Sequence, residues 1–133
     1  MELSQFVADV DGHQRKIVMA AARPRRVAHG DSGIPLRDGR TLPFVVERAW
    51  NAPAGHYTEA WYLVDPETRE VVHEGAAREV AIRGLLTWTE LADDVTAPFE
   101  LAPGTYLLVF ALDGVMGGQV EVHASEAPAE EAA

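Results

Sequence analysis

The run Phe99 to Gly114, F-E-L-A-P-G-T-Y-L-L-V-F-A-L-D-G, constrains the fold more than any other part of the chain. It begins with Phe99 and Leu101 on either side of Glu100, the period-two pattern of a strand with one buried and one wet face. Pro103-Gly104 punctuates it. Tyr106 to Leu112 then carries no charge, so this second strand has to be covered on both faces or lie at the centre of a sheet.

The remaining chain is compatible with that demand. Its 133 residues fit one domain, long enough to bury roughly two thirds of its unfolded surface. There is no cysteine, which excludes disulfides, thiolate zinc sites, iron–sulfur clusters and a cysteine nucleophile, and fits a reducing compartment. Met1 to Gln5 lacks a basic segment followed by an apolar run, and no stretch approaches the ~18 apolar residues that cross a bilayer. The expectation is a cytoplasmic protein. Ten of the eleven basic residues are arginine, a bias associated with bacterial genomes rich in G and C.

Charge is unevenly placed. Residues 1 to 83 hold all eleven basic side chains and twelve acidic ones, whereas residues 84 to 133 hold nine acidic side chains and none basic. Such a field repels phosphate backbones and anionic headgroups, so neither nucleic acid nor a membrane surface is an expected partner. A basic protein partner would be steered towards it. The plainer role of the acidity is solubility.

Along the chain, Leu3 to Val10 and Lys16 to Ala22 read as a first hairpin around Asp11-Gly12, ended by Arg23-Pro24 because proline lacks the ladder donor. His29 to Pro43, with Gly30, Gly33, Pro35 and Asp38-Gly39, reads as a surface loop. Phe44 to Trp50 and Tyr57 to Val64 are aromatic-rich strands. Asp65-Pro66-Glu67-Thr68 predicts a hairpin between Tyr57–Val64 and Arg69–His73. Arg78 to Arg83 alternates, with Val80 and Ile82 inward. Leu85 to Asp94 mixes helical and strand signals and reads as a connection with room for one helical turn. Gln119 to His123 pairs with the Tyr106 strand across Asp113 to Gly118. Residues 1–124 form the domain, and the Ala/Glu/Pro tail of 125–133 cannot bury enough to order itself.

Eight or nine short strands with turns between them predict an all-β, two-sheet antiparallel β-sandwich. The segment L-A-P-G-T-Y-L-L-V, Leu101 to Val109, resembles the E–F corner of bacterial immunoglobulin-like sandwiches. The resemblance implies that Tyr106 hydrogen-bonds back across the corner and that Trp61 is the buried tryptophan of strand C. Leu108 stands where an antibody domain has cysteine, so the resemblance is to a disulfide-free version. It implies a fold and not a function.

Chemistry is sparse. None of the five histidines is spaced two or four residues from another. A site built from His56, His73 and a carboxylate would need the two aromatic-rich strands to pair, and no metal or cofactor is expected. His29-Gly30-Asp31-Ser32-Gly33 holds the residue types of a hydrolase triad, but neighbours on one turn do not converge as a triad must, and Asp31 and Ser32 suit turn capping better. No G-x-S-x-G elbow or phosphate-binding loop occurs, and no catalytic residue is expected.

The expected function is therefore binding, by a non-catalytic accessory subunit or assembly factor of a protein complex. Candidate interface residues are Trp50, Trp61, the Val115-Met116 pair between Gly114 and Gly117, and the basic knot Arg23, Arg25 and Arg26. Each also has a structural reading: core for the tryptophans, a fold-back for Val115-Met116, and ion pairs to the protein's own acids for the arginines. An acidic inhibitor or immunity-type protein masking a basic enzyme is a narrower version, and a homo-oligomer is also compatible with the sequence. The alternative is a small-ligand pocket lined by Trp50, His56, Tyr57 and Trp61.

Overall fold

The computed structural model describes residues 15–25 and 33–128. Among them are ten strands and no helix: β1 Lys16–Pro24, β2 Ile34–Arg37, β3 Arg40–Thr41, β4 Phe44–Asn51, β5 Gly55–Val64, β6 Val71–Glu74, β7 Arg78–Ile82, β8 Thr89–Val95, β9 Gly104–Leu112 and β10 Val115–Glu126. They form a three-stranded sheet, β1-β4-β8, and a seven-stranded sheet ordered β3-β2-β10-β9-β5-β6, in which β7 also pairs with β5. The all-β, two-sheet expectation holds.

Alternation decides which residues lie between the sheets. On β4, Phe44, Val46 and Trp50 point inward, and on β5 so do Tyr57, Trp61 and Leu63, joining Leu108, Phe110 and Leu112 of β9 in one core. At about 25 cal/mol per Å² of apolar surface, this burial is the main stabilising term. The uncharged strand behaves as its composition requires. It lies between β10 and β5, and its other face, through Val109 and Ala111, joins Val64 in a second buried cluster.

Turn chemistry sets the hairpins. Asp65 Oδ1 accepts from the Glu67 and Thr68 amides at 2.8 and 3.2 Å, closing the β5–β6 turn where Asp-Pro predicted it. Asp113 and Gly114 both have positive φ, 49° and 80°, so two residues suffice to join β9 to β10. Val115 and Met116 are consequently strand residues and not a loop tip. Both are half-buried, and Met116 packs on the second cluster.

Several expectations need correction. The sandwich is not wholly antiparallel, because β2 runs parallel to β10, Ala124 to Glu126 facing Ile34 to Leu36. The chain reaches β2 from the other sheet, so no hairpin fixes its direction. The same pairing carries β10 to Glu126, two residues past the expected end of the domain. The stretch expected as a loop from His29 to Pro43 contains β2 and β3, joined by a turn at Asp38-Gly39 with φ 53° and 78°. Leu85 to Asp94 has no helical turn. Leu91 faces the core from β8, whereas Leu85 and Trp88 are exposed, so the helically spaced trio shares no face. Phe99 to Leu101 keeps its alternation but makes only an isolated bridge, Glu100 to Arg40. The hairpin expected from Leu3 to Val10, the Asp31-Ser32 turn, Arg26 and the last five residues lie outside the described residues, while the Lys16 strand pairs with β4.

Candidate functional site

The inward face of the sandwich holds two charges that alternation alone places there. Arg48 falls between Val46 and Trp50 on β4, and Glu59 between Tyr57 and Trp61 on β5, each 1% exposed. They meet across the two sheets. Arg48 donates Nε to Glu59 Oε2 at 2.7 Å and Nη2 to Glu59 Oε1, a bidentate fork, and Nη1 to the Val46 carbonyl at 3.2 Å. Trp50 Nε1 donates to Glu59 Oε2 at 2.6 Å. Burial would lower the Arg48 pKa, but the hydrogen bonds and charge of Glu59, with the charge of Asp93, more than offset it, and the guanidinium sits above its ordinary value.

Asp93 on β8 extends the network to the surface. Its Oδ1 faces Arg48 Nη1 at 3.1 Å and Arg78 Nη2 at 3.2 Å, and its Oδ2 accepts from Trp61 Nε1 at 2.9 Å. Asp93 Oδ1 meets no stringent hydrogen-bond angle, yet two guanidinium groups at these distances satisfy it electrostatically. Two arginines and two carboxylates thus neutralise one another, from the Arg48–Glu59 pair between the sheets out to the exposed Arg78.

Above this network lies a cleft of about 550 Å³, between the turn leading from β6 to β7 and the outer edge of β8. His73 and Trp61 form its apolar side, and Glu74, Arg78, Asp93 and Asp94 its polar side. His73 stacks on Phe99 with ring centroids 3.7 Å apart and 4° between planes. Burial pulls its pKa below 6.5, against the opposing charge of Glu74. Gly75 crosses the Trp61 indole so closely that a Cβ there would fall within the ring. Gly117 of β10 does the same over Trp50.

A second feature is apolar. Between β7 and β8 the chain reads Gly84-Leu85-Leu86-Thr87-Trp88, and Leu85, Leu86 and Trp88 are 46%, 102% and 44% exposed. The base of this tip is fixed: Asn51 Nδ2 donates to the Leu85 carbonyl at 2.8 Å, and the Arg83 amide donates to Thr89 Oγ1 at 3.0 Å. Val18 and Met19 of β1 are also exposed. The register brings Ile17, Trp50 and Thr89 into line across the sheet, so the β1 bulge and the tip lie at the same end.

Of the residues expected at an interface, Trp61 lines the cleft and Arg25 faces Asp94 at its edge. Trp50 and Trp61 are buried in the core, their indole N–H groups spent on Glu59 and Asp93. Arg23 pairs with Glu47, whose hydrogen bond and charge raise its pKa, and Arg25 lies 3.5 Å from Asp94. Arg23 and Arg25 thus answer the protein's own acids. The four-residue aromatic pocket does not assemble: His56 is exposed on the outer face of β5, while Trp50, Tyr57 and Trp61 point into the core. His56 and His73 cannot share a metal either, because β4 and β5 lie in different sheets and His73 faces Leu63 on the opposite side of β5 from His56. Among the described residues no three metal-ligating side chains converge.

The charged network and the apolar tip were both missed as sites in the sequence. Strand parity was the available signal for the first, since Arg48 and Glu59 each interrupt an inward apolar series. For the tip the signal was an uncharged L-L-T-W run entered through Gly84.

No protein-family model matches this chain, and no curated protein matches it. Solved structures do resemble it. A β-glucosidase from Listeria innocua in complex with glucose aligns at TM-score 0.49 and 14% identity, covering 84% of this chain and 16% of that one. The alkylpurine DNA glycosylase AlkC of Pseudomonas fluorescens, bound to DNA containing an abasic site analog, aligns at 0.42 and 12%, covering 87% and 31%. This chain spans under a third of either protein, and the activities in their names belong to those proteins.

Proposed function

We propose that this chain is a non-catalytic, immunoglobulin-like protein-binding module, an accessory subunit or assembly factor, and that its apolar tip at Leu85 to Trp88 is the contact. The observation carrying this reading is the exposure of Leu86 and Trp88 on a loop whose base is hydrogen-bonded at both ends. Scattered surface leucines need no explanation, but three large apolar side chains within four residues form a patch that water does not favour. A tip already held in place loses little conformational entropy on docking, and tryptophan is the residue type most enriched among binding hot spots. The Tyr106 hydroxyl donates to the Ala102 carbonyl at 2.6 Å, as a tyrosine corner does, which supports the immunoglobulin-like part of the reading. The lack of cysteine suits a cytoplasmic setting.

The test is affinity capture from the native cells with the parent protein and a Leu86→Ser/Trp88→Ser variant, with stoichiometry read by light scattering. The expected result is one stoichiometric partner for the parent and none for the variant at unchanged stability. Retention of the partner by the variant would remove the tip from the interface.

A further inference from the structure

We propose that the outer edge of β8 accepts an extended segment of a partner carrying lysine or arginine at alternate positions, which adds to the three-stranded sheet as a fourth strand. This deepens the binding-module reading and rests on it. Among the described residues β8 pairs with β4 alone, so one side of its backbone makes no ladder hydrogen bond to any of them. Seven residues, Thr89 to Val95, present about 23 Å of such edge. The cleft runs along the C-terminal half of that edge, beside Asp93 to Ala97, leaving room for alternate side chains of an added strand.

The charges select the occupant. Glu90, Ala92 and Asp94 are the exposed residues of β8, and a neighbouring strand would set its own outward side chains opposite the two acids. Opposite charges in that arrangement attract and like charges repel. Two copies of this chain pairing β8 to β8 would oppose acid with acid, so the edge rejects self-addition. Glu74 adds a further negative charge across the cleft. An inward charge on an edge strand ordinarily blunts strand addition, but that of Asp93 is already matched by Arg48 and Arg78. The inward side chains of the segment therefore have to be small or apolar, over Gly75 and Ala76. Asp94 also faces Arg25 at 3.5 Å with both side chains about half exposed, a pair weak enough to be shared. The tip leads directly into β8 at Thr89, so one partner can cover both.

The probes are two synthetic nine-residue peptides, one alternating lysine with valine and the other glutamate with valine, titrated to millimolar concentration into the isotope-labelled protein. Backbone amide shifts and hydrogen exchange are followed by NMR at low and high salt. The lysine peptide is expected to shift and protect amides of residues 90–96, more weakly at high salt, and the glutamate peptide to leave them unmoved. A Glu90→Lys/Asp94→Lys variant should bind the lysine peptide at least tenfold more weakly. If that variant loses its dispersed spectrum, Asp94→Lys alone carries the comparison. No response along β8, or equal responses to both peptides, would overturn strand addition. The separate Leu86 and Trp88 capture experiment decides the binding-module reading, so the two failures are distinguishable.

Discussion

Breaking the buried Arg48–Glu59 pair should destabilise the protein more than any other single polar change among the described residues. Glu59 accepts three donors, Nε and Nη2 of Arg48 and Nε1 of Trp50. Glu59→Gln keeps the shape, removes the charge and turns an NH2 group towards these donors. Arg48 keeps Asp93 at 3.1 Å, so compensation is partial, and removing one partner of a buried pair costs about 3–5 kcal/mol. Arg48→Met leaves the Glu59 carboxylate buried with Trp50 as its remaining donor and falls in the same range. In the double variant Arg48→Met/Glu59→Met, Asp93 retains Arg78 and Trp61, and the stranded group is the Trp50 N–H, a loss of about 1–3 kcal/mol. Apolar replacement offsets part of that. With Glu59→Met as the matching single, which leaves Arg48 with Asp93 as its remaining acid and falls in the same range of about 3–5 kcal/mol, the double variant should lose several kcal/mol less than the two singles added together, a coupling of about 3 kcal/mol or more. Urea unfolding followed by tryptophan fluorescence measures it, since Trp50 and Trp61 are both buried, and unchanged slopes license the comparison. Additive behaviour, or a Glu59→Gln cost below about 1 kcal/mol, would mean that Arg48 and Glu59 do not act as a buried pair.

Three further outcomes are expected. Gly117→Ala and Gly75→Ala drive a methyl group into the Trp50 and Trp61 rings, and each should cost about 1–3 kcal/mol by overpacking and shift tryptophan emission; an unchanged urea midpoint would mean the rings are free to move. His73 has a folded pKa lowered from 6.5 by burial, so the unfolded chain binds more protons as pH drops below that value. Stability is therefore full above 6.5 and falls on acidification towards the folded pKa. Urea midpoints at pH 7.5 and 5 should separate in the parent and move closer together in His73→Phe, which retains a ring against Phe99. Tyr106→Phe removes the hydroxyl bond to Ala102 and should cost about 1 kcal/mol, read as a lower midpoint at an unchanged slope.

The framework was legible where period and turn chemistry agree. The uncharged Tyr106–Leu112 run required cover on both faces or a central place in a sheet and has both, Asp65-Pro66 marked its hairpin, and Val80 and Ile82 face inward as their alternation indicated. Where two periods competed, as in Leu85 to Asp94, pairing of β8 with β4 decided the outcome, and no local signal reports that. Short strands inside a Gly/Pro-rich stretch were hidden for a related reason. Ile34 to Leu36 is a strand because Ala124 to Glu126 lies beside it, ninety residues away in sequence. Aromatic residues suggested binding sites, but size and apolarity favour the core as strongly as an interface, and burial drew Trp50 and Trp61 inward. The polar groups at the centre follow from parity, yet that they meet depends on β4 and β5 lying in opposite sheets.

Docking through the apolar tip is tested most directly by site-specific photo-cross-linking in the native cells, with the photoreactive residue placed at Leu86 or, as a control, at Glu67 in the β5–β6 turn at the far end of β5. A single cross-linked protein from position 86 and none from position 67 is the predicted result. No adduct from position 86, or the same adduct from both positions, would contradict a binding module that works through its apolar tip.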